Sequence, residues 1–182
     1  MEKFTAERFS NSRRVRNLVV THISRPDPKS YFSDPAKGFM SWDDVIARFA
    51  AEKSYWVCTA NGGPHAMPVW GIWHDSAFKF STSPESRKAK NLRTNANAIV
   101  HLGDTETVVS LHCHAKELTN VKDQQTFCDI YNPKYDWTFS PSDVSGGLFS
   151  LTPHTAFAWA GGDEGIFNDS GTRFRLAIQQ AD

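Results

Sequence analysis

Apolar and polar positions alternate with a period near two in several short stretches and shift to helical spacing in three others. The runs Leu18–Ile23, Trp56–Ala60, His65–His74, Ala77–Thr82, Ala98–Leu102, Thr107–Leu118, Leu148–Leu151, Thr155–Trp159 and Thr172–Ile178 read as strands. In the Thr107–Leu118 run, Val109, Leu111, Cys113 and Ala115 fall on one face and Ser110, His112 and His114 on the other. That half-polar face suits a cavity or an interface. Ser41 to Phe49 reads as a capped amphipathic helix with Trp42, Val45, Ile46 and Phe49 on one side. A second helix begins near Ser86 and turns Ala89 and Leu92 inward; a third spans Val121 to Tyr135 and stops or bends near Pro133.

The punctuation favours antiparallel pairing. Asn61-Gly62-Gly63-Pro64, Gly103-Asp104-Thr105-Glu106 and Asn168-Asp169-Ser170-Gly171 supply residues suited to tight reversals, and Gly161-Gly162 breaks the preceding strand. Many short strands with few helices argue against alternating β-α-β units. A compact antiparallel barrel with helical caps is the expected architecture, mainly β in class. The expected organisation is an amino-terminal arm over residues 1–40, carrying Arg13, Arg14 and Arg16 and a Pro-rich connection, followed by one domain over residues 41–180.

Charge narrows the range of partners. Twenty Lys plus Arg against twenty Asp plus Glu give no net charge with the seven histidines neutral, so nothing global points to nucleic acid. No apolar run reaches the roughly 20 residues that span a bilayer, and the amino terminus has no signal-peptide pattern. A soluble, cytoplasmic protein is expected. Cys58, Cys113 and Cys128 are scattered without a C-x-x-C pair, so structural disulfides are not expected; Cys58 and Cys113 suit small core side chains better than nucleophiles, and Cys128 carries no assigned chemistry.

The most chemically suggestive stretch is Ser83-Pro84-Glu85-Ser86-Arg87-Lys88. It sets hydroxyls, two adjacent cations and a helix start directly after a strand, which outlines an anion site, or alternatively a solvated basic helix start. Neither a G-x-G-x-x-G fingerprint nor a P-loop is present. His112-Cys113-His114 lacks the further ligands a metal needs, and no nucleophile elbow supports hydrolysis.

Gly63-Pro64-His65-Ala66-Met67-Pro68-Val69-Trp70, Phe80-Ser81-Thr82, Ser86-Arg87-Lys88-Ala89-Lys90-Asn91-Leu92 and Asn95-Ala96-Asn97 together carry a resemblance. They resemble the pyridoxamine 5'-phosphate oxidase-like family of flavin-binding split-barrel proteins, including the branch that uses the deazaflavin F420. The resemblance implies an antiparallel split β-barrel of the FMN-binding type. It implies a cofactor phosphate, FMN or alternatively F420, at Thr82, Ser83, Ser86, Arg87 and Lys88, and Met67, Pro68, Val69 and Trp70 beside the ring. Trp159 and Arg173, with Arg175 in the competing register, would reach the ring from the partner in a homodimer that builds its cofactor sites at the interface. Trp70 and Trp159 equally suit core packing. Asn97-Ala98 departs from the Asn-Pro usual in the family. The implied activity is hydride transfer between flavin and a small organic substrate, or flavin binding, storage or sensing without turnover. No catalytic acid or base and no metal are assigned, and neither nucleic acid nor membrane is an expected partner.

Overall fold

The computed structural model describes residues 16–24, 39–160 and 171–180. Most of the expected arm, the Pro-rich connection, Gly161-Gly162 and most of the Asn168–Gly171 turn lie outside the described residues. The elements in order are β1 (Arg16–Ser24), α1 (Trp42–Ala51), β2 (Tyr55–Ala60), β3 (Pro64–Val69), β4 (Ile72–His74), β5 (Ala77–Ser81), α2 (Arg87–Thr94), β6 (Asn97–Leu102), β7 (Thr107–Glu117), α3 (Val121–Tyr135), β8 (Leu148–Ala160) and β9 (Thr172–Gln180).

Local chemistry explains these boundaries. Ser41 caps α1 by accepting from the Asp44 amide, and Val45 and Phe49 enter the core. Asn120 caps α3 in the same manner, and α3 runs past Pro133 to Tyr135 before Asp136 adopts a left-handed conformation. Gly62 takes φ +72° in the β2–β3 reversal, as that turn requires. Between β4 and β5, Asp75 and Ser76 both adopt positive φ (54° and 57°), the signature of a two-residue hairpin whose twist matches its strands.

All strand pairs are antiparallel, as expected, but the sheet does not close into a barrel. Its path runs β1-β9-β8-β7-β6-β2-β3, with β4 and β5 attached as a branch through β5 and β8. Thus the architecture is an open, nine-stranded sheet with helical caps, not the split barrel implied by the resemblance. The physical reason lies at the Trp70-Gly71 corner, where β3 gives way to β4. The Tyr135 hydroxyl accepts from the Gly71 amide at 3.0 Å and lies 2.7 Å from its carbonyl oxygen, and Lys134 Nζ donates to that oxygen at 3.2 Å. Side chains of α3 thereby satisfy the backbone groups that strand pairing at the corner would use.

A second departure concerns β8. Pro153 separates two runs in the sequence, yet one 13-residue strand passes through it. The ladder slips here: His112 pairs with Thr155 while Cys113 pairs with Pro153, so His154 is the extra residue of a bulge. Beyond the bulge β8 continues into pairing with β9, whereas before it the strand pairs with β5.

The main core fills the inner face of the sheet. Phe49, Tyr55, Phe78, Phe80 and Phe149 are fully or almost fully buried and meet in tilted, edge-on and offset arrangements with centroids 4.6–6.1 Å apart. A smaller cluster, including Ile72, Phe127, Tyr131, Val144 and Leu148, seats α3. On β7 the expected alternation holds: Val109, Leu111 and Cys113 are buried, while Ser110, His112 and His114 occupy the opposite face.

Candidate functional site

The stretch from β5 into α2 folds into a tight polar corner. Ser86 is the N-cap of α2, its Oγ accepting from the Ala89 amide at 3.2 Å. Thr82 Oγ1 donates to the same Ser86 oxygen at 3.1 Å and itself accepts from Lys88 Nζ at 3.2 Å. Ser86 therefore accepts twice and keeps its own proton to donate, while Lys88 commits one of its three N–H groups to Thr82. As at any helix start, the first amides of α2 have no carbonyl one turn back. Burial holds the Lys88 ammonium below its ordinary pKa, so an anion placed beside it would relieve a desolvation cost.

Two distant groups hold this corner in place. The Thr82 amide donates to the Gly147 carbonyl at 3.0 Å, and a Cβ on Gly147 would fall 1.9 Å from the Thr82 oxygen. Only glycine lets the two backbones approach so closely. Arg93 binds Glu117 through both oxygens (2.9 and 2.7 Å) and also donates to the carbonyls of Pro84 at 2.7 Å and Gly146 at 2.5 Å. One guanidinium thus joins the corner loop, the loop before β8 and the end of β7. Its hydrogen bonds, and secondarily its charge, keep the Glu117 carboxyl below its ordinary pKa against a smaller opposing effect of burial.

Lys88 opens onto a cavity of about 340 Å³ that is also lined by Pro68, Val69, Trp70, Tyr131 and Phe139. Lys88 of the corner and Pro68, Val69 and Trp70 from β3 and the residue after it therefore line one cavity, while Met67, Thr82, Ser83, Ser86 and Arg87 do not. Trp70, 48% exposed, stacks flat against Tyr135 with centroids 5.0 Å apart and planes 3° apart, and Trp137 closes on its edge at 6.2 Å. Burial pushes the Tyr135 hydroxyl up to about 12, which keeps it neutral and able both to accept and to donate at Gly71.

The other expected site residues are placed as follows. Arg87 and Ser83 are exposed at the helix start, and Ser83 accepts from the Glu85 amide at 3.3 Å. Met67 is 45% exposed on β3, next to Pro68. Trp159 and Arg173 are not brought to the corner within one chain. Ser81, beside Thr82, pairs with Leu148 at one end of β8, whereas Trp159 lies towards the other end, roughly 35 Å away along an extended strand. Arg173 Nε donates to Ser24 of β1 at 3.2 Å, and Arg175 reaches Thr155 at 3.2 Å. Among the described residues no group of three or more His, Cys, Asp or Glu could hold a metal ion. No described helix is long and apolar enough to cross a membrane.

Residues 42–160 match the family model described as pyridoxamine 5'-phosphate oxidase. No curated protein matches the sequence. Among solved structures, a conserved hypothetical protein, Rv2991 from Mycobacterium tuberculosis, superposes with a TM-score of 0.62 at 16% identity, covering 72% of this chain and 91% of that one. An FAD-binding protein from Mesorhizobium loti gives a TM-score of 0.52 at 13% identity over 76% of this chain and 95% of its own. General Stress Protein 26 from Bacillus anthracis gives 0.54 at 20% identity over 71% and 98%. At these identities the structural likenesses speak for the fold.

Proposed function

This chain belongs to the pyridoxamine 5'-phosphate oxidase-like flavoprotein family, and on that premise we propose that it is a flavin-dependent oxidoreductase using FMN. The observation that carries the reading is the convergence on one cavity of Lys88, tied to Thr82 and through it to Ser86, with Pro68, Val69 and Trp70 from β3. The residues present fit a phosphorylated ring cofactor. A half-buried ammonium, a hydroxyl with a proton to give and a helix start suit a phosphomonoester, and an adjoining apolar and aromatic wall suits a flat ring.

In this reading Lys88, Thr82, Ser86 and the exposed Arg87 hold the phosphate, with Ser83 at its edge. Pro68, Val69 and Trp70 line the ring, and Met67 borders its far side. Bound FMN supplies hydride exchange with a small organic substrate. The protein's part is to orient the ring and to keep water from one side of it, and no general acid or base is assigned. Trp159 and Arg173 serve the site only from a second copy, since they lie far from the corner of their own chain. The working unit is therefore a homodimer with its sites between protomers.

Mass spectrometry of the small molecule released from purified native protein, followed by titration of the stripped chain, tests the proposal. FMN at one equivalent per chain is the expected result. Recovery of F420 instead would move the cofactor assignment, and failure to bind either would reject it. Turnover of a substrate, measured separately, distinguishes an enzyme from a protein that stores or senses flavin.

A further inference from the structure

A separate cavity, of about 310 Å³, lies on the outer face of the sheet and shares no lining residue with the Lys88 cavity. We propose that it binds a small linear zwitterion, an ω-amino carboxylate whose two charges are held apart by a short aliphatic chain. The proposal goes beyond the flavoprotein reading and does not depend on it.

A fork in the sheet makes the place. One edge of β8 pairs with β7 throughout, whereas the other pairs with β5 as far as Leu151 and with β9 only from Thr155 onward, so residues 152–154 pair with neither. The bulge at His154 marks the change of partner. Beyond the fork the end of β9 is held beside the β4–β5 hairpin, since Ile178 pairs with Leu18 and the Leu18 amide donates to Ser76 Oγ at 3.3 Å. Ile178 and Ala77 therefore line the cavity together.

The cationic end is set by register. Lys79 on β5 and Lys116 on β7 are both cross-strand partners of Ser150, so two ammonium stems flank one hydroxyl on the face turned away from the buried Phe78, Phe80 and Leu151. Thr152, two residues along β8, adds a second hydroxyl on that face. Each ammonium carries three N–H donors, and the hydroxyls donate as well, so a carboxylate seated over Ser150 is met from both sides.

The opposite charge stands at the hairpin. Asp75 occupies the turn before β5, four residues from Lys79, which is roughly 10–13 Å along the chain. Neither its carboxylate nor the Lys116 ammonium forms a hydrogen bond or ion pair with a described residue. Asp123, which also lines the cavity, is already engaged, accepting from Asn120 Nδ2 at 2.5 Å within the α3 cap. Between the cationic row and Asp75 the wall is Ala77, with Ile178 beside it, and such a surface suits methylene groups. Charges of opposite sign separated by an apolar wall describe a ligand with an ammonium at one end and a carboxylate at the other. Extended 6-aminohexanoate spans roughly 7–8 Å between those groups, and the lysine stems can lean to close the remainder.

The test is an NMR titration of the full isotope-labelled chain with 6-aminohexanoate, hexanoate and hexylamine, followed at the backbone amides. The expected result is that 6-aminohexanoate binds at least about fivefold more tightly than either singly charged analogue and moves the amides of Ala77, Lys79 and Ser150 most. Asp75→Asn and Lys116→Gln change exposed side chains, and asparagine suits the left-handed conformation of the turn position, so both variants are expected to keep the wild-type melting temperature. The first is expected to bring 6-aminohexanoate down to the affinity of hexanoate, and the second to weaken it about fivefold while leaving hexylamine unchanged. Removal of flavin is expected to leave binding as it was. No measurable binding, equal affinity for the three ligands, indifference to both variants, shifts centred on Lys88 and Trp70, or displacement by excess FMN would overturn the proposal.

Discussion

Lys88 donates to Thr82 Oγ1 at 3.2 Å across the turn that opens α2, and this contact brings the end of β5 and the first turn of the helix into one polar cradle. The cradle is small and its supports are distant in sequence. Each support can be removed separately.

Gly147 is the first. Because an added Cβ would collide with the Thr82 carbonyl oxygen at 1.9 Å, backbone against backbone, Gly147→Ala forces the β5–β8 junction apart. The expected cost is about 1–3 kcal/mol of stability, in the range for overpacking, and flavin affinity falls by more than the stability loss explains. Urea melts alongside flavin titration check this; unchanged affinity would show that Thr82 is not held by this approach.

The Arg93–Glu117 pair predicts a pH dependence. The Glu117 carboxyl is held below its ordinary value of 4.5, so its contribution is complete above that value in the unfolded chain and is lost as the pH falls through the lower folded value. Both side chains are partly exposed, at 36% and 23%, so solvent screening limits the gain; about 1 kcal/mol is expected, which is about 2–4 °C in melting temperature for a chain of this size. Wild type should melt above Glu117→Gln at pH 7 and approach it at pH 3. A constant gap across that range would show that the ion pair contributes nothing.

Tyr135 predicts a separable effect at the β3–β4 corner. Tyr135→Phe preserves the flat stack on Trp70 but removes the hydroxyl from the buried Gly71 amide and carbonyl, for an expected loss of about 1–3 kcal/mol. Tyr135→Ala removes the stack as well and should also change the tryptophan emission. Chemical denaturation followed by fluorescence distinguishes the two. A Phe variant as stable as wild type would mean that water replaces the hydroxyl at Gly71.

The residues legible in the sequence are those whose role is local. Ser41 and Ser86 cap their helices because capping depends on the next three residues, and the alternation on β7 follows from burial of one face. Arg93 and Gly147 were not legible as supports of the corner, since each acts across a long separation in sequence: Arg93 reaches Glu117 and Gly146, and Gly147 meets Thr82. Pro153 misdirected the strand pattern because its bulge, which adds His154, is a property of pairing with β7 and not of β8 alone. Barrel closure failed as an expectation for a similar reason. The pattern marks where strands form, but the Tyr135 and Lys134 contacts that occupy Gly71 come from a helix more than sixty residues away.

The most direct measurement compares FMN with riboflavin, which lacks only the phosphate, on wild type and on an Arg87→Ala/Lys88→Ala variant confirmed to be folded. If the corner grips a phosphate, the variant should lose about a hundredfold or more in FMN affinity and change by less than about threefold towards riboflavin, the signature of lost charge-assisted contacts. Equal losses for both ligands, or no loss for either, would contradict the account.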